Sequence, residues 1–75
     1  RDIKSELEVS VHPNPASDAV YVSIDECSLS LFADDGKLLK SAIGNVMSIR
    51  ELQSGLYLLK ITKDGRSAIQ KIIKE

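Results

Sequence analysis

The feature that most constrains the fold lies at the carboxyl end, where two runs of alternating residues are joined by Lys63-Asp64-Gly65-Arg66. Tyr57, Leu59 and Ile61 fall on one side of an extended chain, because successive side chains of a strand point to opposite faces. Leu56 and Leu58 start the other side, which turns polar at Lys60 and Thr62. A strand apolar on both sides at its start reads as central and covered. Gly65 accepts the positive φ that a two-residue hairpin turn demands. A helix competes for Ile43–Gln53 and for the final run on propensity. At the final run the turn chemistry outweighs propensity and predicts a strand. Its inward side is ambiguous, because Ile69, Lys71 and Ile73 alternate with Ala68, Gln70, Ile72 and Lys74.

Turn signals recur about every ten residues, the spacing of an all-β sandwich. They are Pro13-Asn14-Pro15, Asp25-Glu26, Asp34-Asp35-Gly36, Gly44-Asn45, Gln53-Ser54-Gly55 and the Asp64-Gly65 turn. Leu7, Val9 and Val11 give a first strand its apolar side, and Val20, Val22 and Ile24 a second. Leu29 and Leu31 alternate with serines until Phe32 breaks the pattern. A strand starting at Leu38-Leu39 fades at Ser41-Ala42-Ile43, and Val46–Ile49 reads as a short edge.

At 75 residues the chain is one domain. A domain of this size buries only about 60% of the surface its unfolded chain exposes. Its stability is expected to be on the order of a few kcal/mol, with little room for a deep pocket. The net charge of −1 and evenly mixed signs give no basic face for a nucleic acid. Of the three aromatics, Tyr21 and Tyr57 fall inside strands, which leaves no stacking platform for bases. No apolar run approaches the roughly 20 residues needed to span a bilayer as a helix. The chain begins at Arg1 rather than Met and reads as a piece of something longer, with residues 1–6 as the end of a linker and 7–75 as the domain.

Catalysis has little to work with. His12 and Cys27 are the one base–nucleophile pair on offer, with Asp18 or Asp25 to orient the histidine. Such a pair needs a cleft that this chain is too short to build, so no enzyme is expected. The single thiol of Cys27 reads as a small buried hydrophobe. Zinc wants about four ligands and calcium six or more oxygens, so Asp34-Asp35-Gly36 reads as a solvated turn. No cofactor or metal is expected.

The polar segment that asks for more than packing is Pro13-Asn14-Pro15-Ala16-Ser17-Asp18. Each proline fixes φ and lacks an amide donor, so no ladder runs through it. A stiff exposed loop between two strands follows, and such a loop binds at low entropic cost. Gly55 reads as a turn residue with positive φ. Tyr57 reads as a core ring with a hydrogen-bonded edge.

Four segments, in order, are similar to the carboxy-terminal sorting domain of the type IX (Por) secretion system of Bacteroidetes. Val11–Asp18 is similar to the family's opening motif, and Leu29–Leu39 to its central hairpin. Ile49–Ile61, with Ser54-Gly55-Leu56-Tyr57 inside it, resembles its most recognisable block, and Ala68–Lys74 its terminal strand. The chain departs from the pattern at Phe32-Ala33, at Asp35 and Lys37 of the turn, and at the acidic Glu75.

The resemblance implies an immunoglobulin-like β-sandwich of about seven mostly antiparallel strands. It implies a secretion signal that crosses the inner membrane with its parent, folds in the periplasm and is recognised by the outer-membrane translocon and its shuttle proteins. It also implies a sortase-like cysteine peptidase that, in many members, removes the domain and attaches the cargo at the cell surface. The recognition set implied here is Pro13, Asn14, Pro15, Gly55, Lys60, Lys71, Ile72, Ile73 and Lys74. Gly55 would hold shape, the prolines would hold the loop, and the last four residues would supply the contact. The competing expectation is an accessory immunoglobulin-like binding module for carbohydrate or a surface protein, which the scarcity of aromatics disfavours. A small sandwich with short edge strands can also exchange a strand between copies, so a swapped dimer is open to it.

Overall fold

A computed structural model of the chain describes residues 9–13 and 15–75. The expected linker at 1–6, the contribution of Leu7 to the first strand, and Asn14 lie outside the described residues. Seven strands are present: β1 (Val11–His12), β2 (Ala19–Val22), β3 (Cys27–Ala33), β4 (Leu38–Gly44), β5 (Val46–Ser48), β6 (Gly55–Lys63) and β7 (Arg66–Lys74). They form a three-stranded sheet, β1-β2-β5, facing a four-stranded sheet, β4-β3-β6-β7. Every strand pair is antiparallel. The fold is an immunoglobulin-like sandwich, with the fourth strand beside the third rather than beside the fifth as in constant-type domains. No helix forms among the described residues, so the helical alternatives at Ile43–Gln53 and at the carboxyl end are not taken.

The core is the sum of the inward positions of both sheets. Val20 and Val22 of β2 and Met47 of β5 meet Cys27, Leu29 and Leu31 of β3 and Leu59 and Ile61 of β6. All of these are buried, as alternation predicted for β2, β3 and β6. The Cys27 thiol donates to the Gly44 carbonyl at 3.0 Å and is sealed from solvent.

Both hairpins follow from their turn residues. Asp64 and Gly65 have φ of 55° and 77°, the doubly positive signature of a two-residue I′ turn, whose twist matches that of the strands it joins. In the β3–β4 hairpin, Gly36 donates its N–H to the Ala33 carbonyl and Lys37 donates to Asp35 Oδ1. The register slips between Leu31 and Phe32, where the alternation of the sequence also breaks.

Two expectations are corrected. β4 does not fade at Ser41 but runs to Gly44, paired residue for residue with β3 from Lys40 onward. Its inward side carries Lys40, Ala42 and Gly44, which give a weak apolar signal although the ladder is intact. β6 is central in its sheet, as expected, yet no second layer covers its outer side among the described residues. The sandwich has two layers, and Leu56 is left 38% exposed.

Candidate functional site

Of the predicted recognition residues, Pro13, Pro15, Gly55 and Lys74 fall at one end of the sandwich and Lys60, Lys71 and Ile73 on the outer face of the four-stranded sheet, while Ile72 lies in the core and Asn14 outside the described residues. The end is built by the loop between β1 and β2 and by the two chain segments that meet beneath it. Pro13 and Pro15 are exposed in that loop, and the His12–Pro13 peptide is cis. Immediately after Pro15 the chain dives inward at Ala16, which is buried in the core. Ala16 donates its N–H to the Ile73 carbonyl and accepts from the Glu75 N–H, both at 2.8 Å. These two bonds form an isolated parallel bridge to the last strand. Gly55 sits opposite Lys74 across the β6–β7 ladder, so the block around Gly55 closes the same end. Gly55 opens β6 rather than lying in the turn before it; its φ of 156° is open to glycine, and a Cβ there would meet nothing within 4 Å.

The loop that leads into Gly55 is tied by Tyr57, whose hydroxyl donates to the Gln53 carbonyl at 2.6 Å. A tyrosine at the start of this strand bonding a few residues upstream is the tyrosine corner of immunoglobulin-like domains. On the outside of the other sheet, His12 stacks on Tyr21. The contemplated cysteine–histidine pair is not assembled, since the thiol is committed to Gly44 and the imidazole to Tyr21.

The last strand is at the edge of its sheet, and its ambiguous parity is now resolved. Tyr57 pairs with Ile72 and Leu59 with Gln70, so Ala68, Gln70, Ile72 and Lys74 turn inward. Ile72 is fully buried; its side chain is a core element and is not displayed. Ser67, Ile69, Lys71 and Ile73 turn outward.

Lys60, Lys71 and Ile73 are thereby placed on one surface. Cross-strand registers lay out its rows. Nearest the Asp64-Gly65 turn, the row is Ile43, Ser28, Thr62 and Ser67. The next is Ser41, Ser30, Lys60 and Ile69, followed by Leu38, Phe32, Leu58 and Lys71. Leu56 and Ile73 complete it beside Ala16 and the proline loop. Lys60 and Lys71 are diagonal neighbours, since Lys60 pairs with Ile69, two residues before Lys71.

Residues 10–75 match the family described as Secretion system C-terminal sorting domain. The chain belongs to this family. No curated protein matches it. The four sequence blocks that suggested the family correspond to distinct parts of the sorting domain: the proline loop, the β3–β4 hairpin, the tyrosine corner with β6, and β7. A domain of this family is a type IX secretion signal and implies export through the outer membrane, to the surface or beyond. The outward-facing Leu38, Phe32, Leu56 and Leu58 of the sorting domain were absent from the predicted set. Their signal was the second apolar side of Leu56 and Leu58, which reads equally well as a covered strand.

Proposed function

We propose that this sorting domain is a non-catalytic address that takes its parent protein through the periplasm to the type IX outer-membrane translocon. The observation that carries the reading is the family match across residues 10–75. The geometry supports it in a specific way. The segments that resemble the family's opening motif and its terminal strand, the proline loop and β7, are joined by the Ala16 bridge into one surface.

Translocon and shuttle proteins would read that surface. Pro13 and Pro15 stiffen the loop, Asn14 belongs to the same recognition set, and Gly55 shapes the end. Lys60, Lys71, Ile73 and Lys74 supply the contact, and Ile72 anchors the strand from within. A sortase-like cysteine peptidase then acts on the exported parent to attach it at the cell surface.

The test is a reporter protein fused ahead of residues 1–75 in a Bacteroidetes host with an intact type IX system. The expected result is reporter outside the cell, dependent on that system and on the fused domain. Reporter that stays inside the outer membrane overturns the proposal.

A further inference from the structure

We infer that the outer face of the four-stranded sheet is the docking surface, and that its partner is a protein surface both apolar and acidic. This inference rests on the sorting reading and names the partner's chemistry. Three observations carry it.

The first is exposure. Leu38 is 54% exposed and Ile69 64%, and Ile73 and Leu56 are also open to solvent. They surround the half-buried Phe32 and Leu58 to make one contiguous apolar area beside the proline loop. Contiguous apolar surface with a polar margin marks an interaction site.

The second is charge. No aspartate or glutamate occurs in any of the seven strands. Among the described residues, the outer face carries Lys60 and Lys71 and no carboxylate. The described acids sit in the loops and at the chain end: Asp18, Asp25 and Glu26, Asp34 and Asp35, Glu51, Asp64 and Glu75. Charge is therefore segregated, although the whole chain has a net charge of only −1. Opposite charges across an interface set specificity and register. A partner presenting carboxylates to Lys60 and Lys71 is complementary; a second copy of this face would set lysines against lysines. A wide anionic membrane is also a poor fit. Polybasic membrane segments use clusters of about 4–8 Lys or Arg, and the acidic turns at the rim would face the bilayer.

The third is size and continuity. Four strands about 4.8 Å apart and some 20 Å long give a face on the order of 400 Å². This is about half of one side of a standard interface, ~800 Å². The face alone suits a contact that forms and releases. The proline loop extends it, because the Ala16 N–H bonds the carbonyl of Ile73 on its border.

The experiment uses the reporter fusion with substitutions on each sheet. Lys60→Glu/Lys71→Glu is expected to lower export tenfold or more, Lys60→Ala/Lys71→Ala less, and Lys60→Arg/Lys71→Arg hardly at all. Leu38→Asp and Ile69→Asp, exposed positions that leave the core intact, are each expected to lower it severalfold. Val46→Asp, on the outside of the other sheet, is expected to export normally. Urea midpoints of the same chains show that each variant is folded.

Wild-type export with the Glu and Asp variants within twofold of it overturns the docking face and leaves the sorting reading standing. No export of the wild type overturns both. Equal losses for Ala, Glu and Arg overturn the acidic partner. Binding of the wild-type chain to phosphatidylglycerol vesicles that Lys60→Glu/Lys71→Glu abolishes replaces the protein partner with a lipid surface. Self-association that Leu38→Asp abolishes replaces it with a second copy.

Discussion

Ala16 and Ile73 lie near opposite ends of the chain, and the backbone N–H of the first donates to the carbonyl of the second at 2.8 Å. With the return bond from Glu75 to the Ala16 carbonyl, also 2.8 Å, the terminus is held from both sides: β6 on one, the segment after the proline loop on the other. The loop and the tail are therefore one mechanical unit. Removing residues 73–75 deletes both bonds and leaves the buried Ala16 with unmatched polar groups. At about 0.5–1.5 kcal/mol per net hydrogen bond, those two bonds alone contribute about 1–3 kcal/mol, and the lost pairing of Ile73 and Lys74 with Leu56 and Gly55 adds to the expected fall in urea midpoint. The Ala16 amide is expected to exchange with deuterium much faster. Lys74→Ala and Glu75→Ala keep the backbone bonds and are expected to stay within about 0.5 kcal/mol of wild type. Equal loss in the side-chain variants and the truncation contradicts the bracket.

Ile72 and Ile73 are neighbours divided between the core and the surface. The first is fully buried and the second is 42% exposed. Ile72→Ala empties a core position, which typically costs about 2–5 kcal/mol, a large share of what so small a domain has. Ile73→Ala keeps its backbone bond to Ala16 and is expected to change stability by about 0.5 kcal/mol or less. The two variants separate folding from recognition in the export assay. Loss with Ile73→Ala in a domain of unchanged stability is a recognition defect. Loss with Ile72→Ala is expected to follow the fraction unfolded, and to be relieved at lower temperature.

That division of labour also shows what the amino-acid pattern could reveal. β2, β3 and β6 were legible because each sets valines, leucines or isoleucines on one side in strict alternation with the residues of the other. The Asp64-Gly65 turn was legible because few residue pairs accept two positive φ values. The parity of β7 was not, because isoleucines occupy both of its sides; it is decided by pairing with Tyr57 and Leu59, information that resides in another strand. The extent of β4 was hidden for a related reason, its inward side being Lys40, Ala42 and Gly44. The Ala16 bridge was invisible because it is made by backbone groups, which every residue carries. The backbone restrictions of the two prolines and Gly55 were legible: Pro13 and Pro15 lie exposed in the loop before β2 and Gly55 has a positive φ, although it opens β6 instead of sitting in the turn. The apolar neighbours of Lys60 and Lys71 were not, since an outward leucine looks the same in sequence as one covered by a second layer.

Tyr57 fastens the crossover from β5 to β6. Its ring packs against the core while its hydroxyl reaches the Gln53 carbonyl at 2.6 Å. Tyr57→Phe keeps the ring and removes that one bond. The expected loss is about 0.5–1.5 kcal/mol, measured as a shift in urea midpoint at unchanged slope. The freed carbonyl is near solvent, which holds the cost toward the lower figure. Tyr57→Ala removes ring and bond together and is expected to cost about 3 kcal/mol or more. A Phe variant as unstable as the Ala variant contradicts a separable role for the hydroxyl.

Lys40 and Glu51 join the two layers at the open side of the sandwich and give the domain a small pH dependence. Lys40 projects from β4, and its Nζ donates both to the Ser48 carbonyl of β5 at 2.7 Å and to the Glu51 carboxylate. The hydrogen bond from Lys40 holds the Glu51 carboxyl below its usual value of 4.5, helped by a bond to backbone and opposed by partial desolvation. Because the folded value is the lower one, the pair's stabilisation is fully present above pH 4.5 and disappears as pH falls through the folded value. Glu51 is an exposed group, so the effect is expected to be slight and screened by salt. Titration of the Glu51 side chain by NMR is expected to show a lowered midpoint in the wild type and a return toward 4.5 in Lys40→Met. Raising the salt concentration is expected to narrow the gap between the two curves. A wild-type midpoint at or above the usual glutamate value contradicts the link. So does a midpoint that Lys40→Met leaves in place, which would mean that the backbone contact holds the proton off by itself.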